Sequence, residues 1–231
     1  MAGPLCLLMN SNAGGFRIAA LDSPPPSSSH GIQTPMSHFF AFLSRMRFIQ
    51  RWGLMHNHYP ENIQEHSLRV ATLAHALALI GNTLYGQRFD ADRAATLALY
   101  HDATEVLTGD LPAPVKYYNE TIRKAYKSIE STARDQLLDT LPQALRPVFA
   151  PYFQAEDPEL ERLVKSADKL CAYLKCVEEV RAGNGEFSRA LELLEAEVRR
   201  IDQPEVRYFL DTFAPSFALT LDDLGDLPEP P

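Results

Sequence analysis

The chain lacks any apolar run of the roughly 18 residues that mark a membrane-crossing helix. It also lacks an excess of positive charge: Asp and Glu number 30 against 22 Lys and Arg, a formal net charge of −8. The first absence argues against a helical membrane span. The second disfavours a nucleic-acid polymer or an anionic membrane surface as partner, because both need a basic footprint. A small phosphorylated ligand stays compatible, since a metal ion or one or two cationic side chains can supply local positive charge. Cysteine is scarce as well. Cys6, Cys171 and Cys176 are the whole complement, and the last two are five apart on an expected helix, where side chains do not face each other. No disulfide framework follows, and such a pattern fits a reducing cytosol. Leu5–Met9 is too short for the apolar part of a secretion signal and has no basic segment before it, so the expected location is cytoplasmic. No strand succession and no internal repeat is visible.

What is present is enough apolar material, 45% of 231 residues, for one sizeable core. Residues 1–35 are rich in Gly, Pro, Ser and Asn and read as a disordered extension. Residues 36–220 form the expected domain, and 221–231 an acidic, proline-rich tail. Within the domain the spacing predicts only helices. Ser37 can cap one whose stripe is Phe39, Phe42, Leu43, Met46 and Ile49, ending at Arg51-Trp52-Gly53. Asn62 and Glu65 form a reciprocal start signal for a second, with Ile63, Val70, Leu73, Leu77 and Ile80 inward and His66 filling the first gap in that spacing. A third runs from a cap at Asp90 to about Thr108, where Gly109 stops it. Lys116 to about Leu141 reads as a long helix, and Asp157-Pro158 opens another with Leu160, Leu163, Ala167, Leu170, Leu174 and Val177 buried and Asp168 bordering the stripe. Segments 186–201 and 205–213 complete an all-α, compact multi-helix bundle.

The stretch that stands out is His101-Asp102-Ala103-Thr104-Glu105-Val106-Leu107-Thr108-Gly109-Asp110-Leu111-Pro112, which crowds one imidazole and three carboxylates together. On a continuous helix His101, Asp102 and Glu105 share a face. Unpaired buried carboxylates would cost several kcal/mol each, and a divalent cation is the simplest compensation. By residue type alone the surrounding candidates have ordinary readings. Arg51 complements a helix C-terminus, Trp52 anchors a core, His66 is a hydrogen-bonded core histidine, Glu105 is a surface acid, and the segment 110–115, held extended by Pro112 and Pro114, is an interhelical loop or a rim for ligand contact.

The adjacent His-Asp pair and the run HDATEVLTGDLP resemble the 5'-deoxynucleotidase branch of the metal-dependent HD-domain phosphohydrolases, over about Met36 to the C-terminal helices. Glu61-Asn62-Ile63-Gln64-Glu65-His66-Ser67 is similar to that family's first metal-ligand segment, Lys165-Ser166-Ala167-Asp168-Lys169-Leu170 to its last, and Arg51-Trp52 to its pair contacting phosphate and deoxyribose. The resemblance implies an HD-domain bundle that hydrolyses deoxyribonucleoside 5'-monophosphates, with His66, His101, Asp102 and Asp168 holding a divalent ion. Glu105 and Arg51 are the implied catalytic residues. Arg51, Trp52, His66, Asp102, Asp110, Leu111, Pro112, Ala113 and Asp168 are implied to bind substrate. Mixed imidazole and carboxylate ligands suit Co, Mn, Fe, Ni, Zn or Mg. Binuclear members take further histidines between the His-Asp pair and the last Asp; here all seven histidines lie between His30 and His101, which implies one ion per subunit. Ala113 departs from the pattern, standing where a hydroxyl residue is expected. The resemblance also implies a homodimer and suggests Met36 as an alternative start. The competing readings are an HD phosphodiesterase or another nucleotide hydrolase, and a non-catalytic nucleotide-binding protein on the same fold.

Overall fold

Helix caps decide where each element begins, and their order decides what meets what. The structure is a computed structural model that describes residues 36–154 and 156–225. Among these residues the chain forms α1 (Phe39–Leu43), α2 (Ile63–Leu84), α3 (Ala91–Tyr100), α4 (Glu105–Thr108), α5 (Ala113–Lys116), α6 (Glu120–Asp139), α7 (Arg146–Phe153), α8 (Pro158–Arg181), α9 (Ser188–Arg199), α10 (Pro204–Thr212) and α11 (Leu221–Gly225). Turns of 3-10 helix at Ser44–Phe48, Gly185–Phe187 and Ala214–Ala218 join them. The sheet-like contact among the described residues is an isolated antiparallel bridge between Gln50 and Asn62. No described helix is long and apolar enough to cross a membrane. The expected extension, 1–35, and the end of the expected tail, 226–231, lie outside the described residues.

The predicted starts of α2, α3 and α8 stand. Asn62 accepts from the Gln64 and Glu65 amides while the Glu65 carboxylate accepts from the Asn62 amide, the full reciprocal cap. Asp90 accepts from Arg93 N–H, and Asp157 from Glu159 and Leu160, with Pro158 at the first helical position. Such caps contribute ~1 kcal/mol apiece. α2 then buries Ile63, Val70, Leu73 and Leu77, with Ala71, Ala74 and Ala78 between them, small residues that let α3 and α8 pack closely against it. At Gly81 the approach is tighter still: a Cβ there would lie 2.9 Å from the Phe89 ring.

Two apolar clusters result. The larger joins α2, α3, α8 and α10 through residues such as Val70, Leu77, Ala98, Leu163, Leu170 and Val206. The smaller joins α1 to α6 and the start of α2 through Phe39, Met46, Ile63, Ala103 and Leu137. α2 runs through both, and His66 stands between Ile63 of one cluster and Val70 of the other. His101 and Asp102 likewise stand between Ala98 and Ala103. The polar residues of interest therefore occupy the seam where two dry cores meet.

Several expectations need correction. The helix from Asp90 is not continuous to Thr108: α3 ends at Tyr100, residues 101–104 form tight turns, and α4 restarts at Glu105. The cause is local. The Ala98 carbonyl accepts a 2.6 Å bond from the His101 ring Nδ1, with the His101 amide at 3.5 Å, and the bonds that follow are of the i to i−3 kind. A side chain that competes for a backbone carbonyl unwinds the helix at that point. Gly109 ends α4 as expected, at φ +73°. The segment 110–115 is not wholly extended, because proline suits a helix start as well as a loop: the Pro112 carbonyl accepts from Val115 and Lys116, opening α5. α6 begins at a cap on Asn119, leaving Tyr118 exposed. The cap position of α1 falls at His38 and not at Ser37, whose hydroxyl accepts a long 3.5 Å bond from the Phe39 amide and donates to the Thr140 carbonyl. α7, with Pro147 in its first turn and Pro151 inside it, was not anticipated. The expected tail opens with the short helix α11, where Thr220 and Asp223 bond one another.

Candidate active site

His66 points from α2 into the seam and is fully buried. Its Nε2 lies 2.9 Å from Asp168 Oδ1 and 3.6 Å from Asp102 Oδ2. Neither ring nitrogen of His66 has a hydrogen-bond partner of acceptable geometry, and neither has His101 Nε2, which lies 3.1 Å from Asp102 Oδ2. Close, unaligned and buried is costly for a polar atom, about 1–3 kcal/mol each. The arrangement fits donor atoms aimed at a common cation rather than at one another: His66, His101 and Asp168 each bring a ligating atom within 4.8 Å of the others. Because a carbonyl can only accept, the His101 Nδ1 contact with Ala98 fixes a proton there and makes Nε2 the nitrogen that would ligate an ion once it gives up its proton. The four residues expected as ligands are thus brought together, from α2, the 101–104 turn and α8.

The charges of the protein alone favour a proton on His101 Nε2, which a bound ion would displace. Burial works against a charged His101, yet Asp102, Asp168 and the Ala98 carbonyl raise its pKa to about 9. Burial also opposes ionisation of Asp102 and Asp168, but the neighbouring histidines, and Arg51 beside Asp102, hold both below the ordinary carboxylate range. Glu105 behaves oppositely. Burial first, then repulsion from Asp102 and Asp110, push its pKa up to about 9, with Arg51 and Lys116 opposing only in part. Its Oε2 is buried without a partner. The prediction that Glu105 is more than a surface acid is consistent with this burial, although it reaches the centre from α4 and not from a continuation of α3.

Arg51 and Trp52 sit at the rim. Arg51 donates from Nε to Glu61 and from Nη1 to Asp102, each at 3.2 Å, and Trp52 Nε1 donates to the same Glu61 oxygen at 3.3 Å. Burial works against the Arg51 charge, but Asp102, Asp168, Glu61 and Asp110 together raise its pKa. Trp52 packs on Phe187 with ring centres 5.4 Å apart and has φ +58°, a conformation costing a bulky residue of order 1–3 kcal/mol. Asp110 is half-buried, close enough to Arg51 and Asp102 for both to act on it, while burial raises its pKa. Leu111 and Pro112 are half-buried and Ala113 is exposed; none of the three has a side-chain hydrogen bond.

Glu61 was missed as a functional candidate. It is 4% exposed, ties Arg51 to Trp52, and lies 3.6 Å from Arg69 and 4.0 Å from His66 Nδ1. Its sequence signal was faint, a glutamate just before a helix cap, because its partners come from the opposite side of the Gln50–Asn62 bridge.

Comparison with known proteins accords with this geometry. The family profile described as 5'-deoxynucleotidase YfbR-like matches residues 38–217. A 5'-deoxynucleotidase of Vibrio parahaemolyticus is 53% identical over 191 residues, covering 82% of this chain and 98% of that protein. The 5'-deoxynucleotidase YfbR of Escherichia coli is also 53% identical over 191 residues, with 82% and 96% covered. Among solved structures, an HD-domain phosphohydrolase from Listeria innocua superposes with a TM-score of 0.69 at 21% identity, covering 78% of this chain and 88% of that one. The cyanophage S-2L HD phosphohydrolase DatZ, bound to dA and one catalytic Zn2+ ion, gives 0.56 at 24%, covering 77% and 95%. These two likenesses concern the fold. With the profile spanning both cores and every residue of the cluster, and relatives at this identity matched almost end to end, the chain belongs to the YfbR-like 5'-deoxynucleotidase family.

Proposed function

We propose that this 5'-deoxynucleotidase hydrolyses deoxyribonucleoside 5'-monophosphates to deoxyribonucleosides and phosphate at one divalent ion held by His66, His101, Asp102 and Asp168. The observation that carries the reading is the convergence of the unpartnered His66 nitrogens and His101 Nε2 with two part-exposed aspartates at the seam. The nitrogen and oxygen donors suit Co, Mn, Fe, Ni, Zn or Mg. When bound, such an ion lowers the pKa of its water from ~15.7 to roughly 7 and polarises a phosphoryl oxygen.

The chain's own residues supply the rest. Arg51, its Nε on Glu61 and its Nη1 on Asp102, presents a guanidinium edge to the phosphate and sets it in line for attack by water. As the P–O5' bond breaks, the departing sugar oxygen needs a proton. Glu105, kept protonated by burial and by its acidic neighbours, is the group to give one. Trp52 flanks the sugar, where a rigid indole leaves an added 2'-hydroxyl crowded and unpaired, and Asp110 to Ala113 form the outer rim. Ala113, exposed and lacking a hydroxyl, offers only its backbone. The buried, unpaired Cys171 and Cys176 support a cytoplasmic setting, and the family resemblance a homodimer, which light scattering after size exclusion tests directly.

Metal analysis together with phosphate release from dAMP tests the central claim. Asp102→Asn is expected to lose both tight metal retention and turnover, and full turnover by a metal-free Asp102→Asn protein would overturn the reading.

A further inference from the structure

α8 carries a second buried charge cluster at the end remote from Asp168. Lys175 and Glu179, one helical turn apart and inaccessible to solvent, pair through Nζ and Oε1. A buried ion pair contributes little net stability, so its other bonds bear on its purpose. They run to the backbone of one loop. Glu179 accepts from the amides of His58 at 3.0 Å and Tyr59 at 2.9 Å, and Lys175 donates to the Tyr59 carbonyl. Asn184 donates both to Glu179 at 2.8 Å and to the His56 carbonyl at 2.7 Å.

That loop begins at Trp52. The Trp52 carbonyl accepts from the Met55 amide at 2.8 Å and from Asn57 Nδ2 at 3.3 Å, and Trp52 itself is the described non-glycine residue with positive φ. A side-chain route runs in parallel: Lys175 Nζ lies 5.6 Å from the centre of the Phe187 ring, on which Trp52 packs. A strained conformation persists only where its surroundings over-determine it; here Glu61, Phe187, Met55 and Asn57 hold Trp52 directly, and the cluster anchors the far end of the same loop at His56, His58 and Tyr59.

We propose that Glu179, with Lys175 and Asn184, is a positioning element for Trp52, fixing the 52–59 loop so that the indole stands as a rigid wall and thereby sets the preference for deoxyribose over ribose. The inference rests on the reading of Trp52 as the sugar contact. Discrimination by crowding needs a wall that cannot yield; a loosened loop would let the indole move aside for a 2'-hydroxyl. Glu179 lies eleven residues beyond Asp168, about 16 Å along the helix, so its influence on selectivity passes through Trp52 and not through the reacting atoms.

Trp52 is the chain's one tryptophan, so tryptophan fluorescence reports on it alone. The test uses full-length, metal-loaded protein carrying Glu179→Gln, Asn184→Ala or Trp52→Ala. The first two are expected to keep their metal, to show increased acrylamide quenching of Trp52, and to lose dAMP over AMP selectivity in kcat/KM by about 5-fold or more, the low end for a hydroxyl no longer penalised. Asn184→Ala leaves the ion pair intact and carries the test if Glu179→Gln does not fold. Unchanged quenching would overturn the clamp. Raised quenching with unchanged selectivity, while Trp52→Ala does shift selectivity, would overturn its link to sugar choice. If Trp52→Ala itself leaves the ratio unchanged, the sugar reading of Trp52 fails and the selectivity claim with it.

Discussion

Replacing Glu61 with glutamine separates the work of holding the rim from the work of holding the metal. One carboxylate oxygen receives both Arg51 Nε at 3.2 Å and Trp52 Nε1 at 3.3 Å. An amide of the same shape keeps an acceptor but loses the charge and sets an NH2 group among donors. A hydrogen bond to a charged group contributes about 1.5–3 kcal/mol. If Arg51 must be in place when the phosphoryl group transfers, kcat/KM for dAMP should fall by roughly 10- to 150-fold. Stability should change less, because Arg51 retains Asp102 at 3.2 Å and its charge is not orphaned. Metal content should not change at all: Glu61 lies 4.0 Å from His66 Nδ1, beyond hydrogen-bond length. The assays are steady-state kinetics with dAMP, metal analysis and thermal melting on the same preparation. An unaltered kcat/KM would refute the role of Glu61 at the rim, and loss of metal would show instead that it orients His66.

Glu105→Ala should retain metal and still bind dAMP while turnover falls by roughly 10²-fold or more, the scale of a lost general acid; loss of metal in that variant would make Glu105 a ligand. Glu179 supplies a pH dependence of stability. Burial opposes its charge, but Lys175, Asn184 and the Tyr59 and His58 amides lower its pKa from 4.5 to about 2. Its folded pKa being depressed, its stabilisation is complete above about pH 4.5 and fades as pH falls toward 2. Melting temperatures of wild type should therefore drop more steeply across that interval than those of Glu179→Gln, and parallel curves would contradict the assignment.

The sequence by itself determined the helical class and the starts of α2, α3 and α8, because these depend on near neighbours, while the roles at the centre were implied by the family resemblance. Asn62 with Glu65, Asp90 and Asp157 carry their capping geometry within three residues, and the inward place of His66 follows from the 3.6-residue period. Only the tertiary structure decided how the residues meet. The break at His101 is local yet turns on which way the ring points, toward the Ala98 carbonyl, and α7 forms with Pro151 inside it as Phe149 and Phe153 pack on Phe39. Glu61, joined to Arg51 and Trp52 across a bridge, and Glu179, bonded to amides some 120 positions earlier in the chain, were equally illegible. A buried carboxylate is defined by the donors that surround it, and those donors converge only when the helices pack.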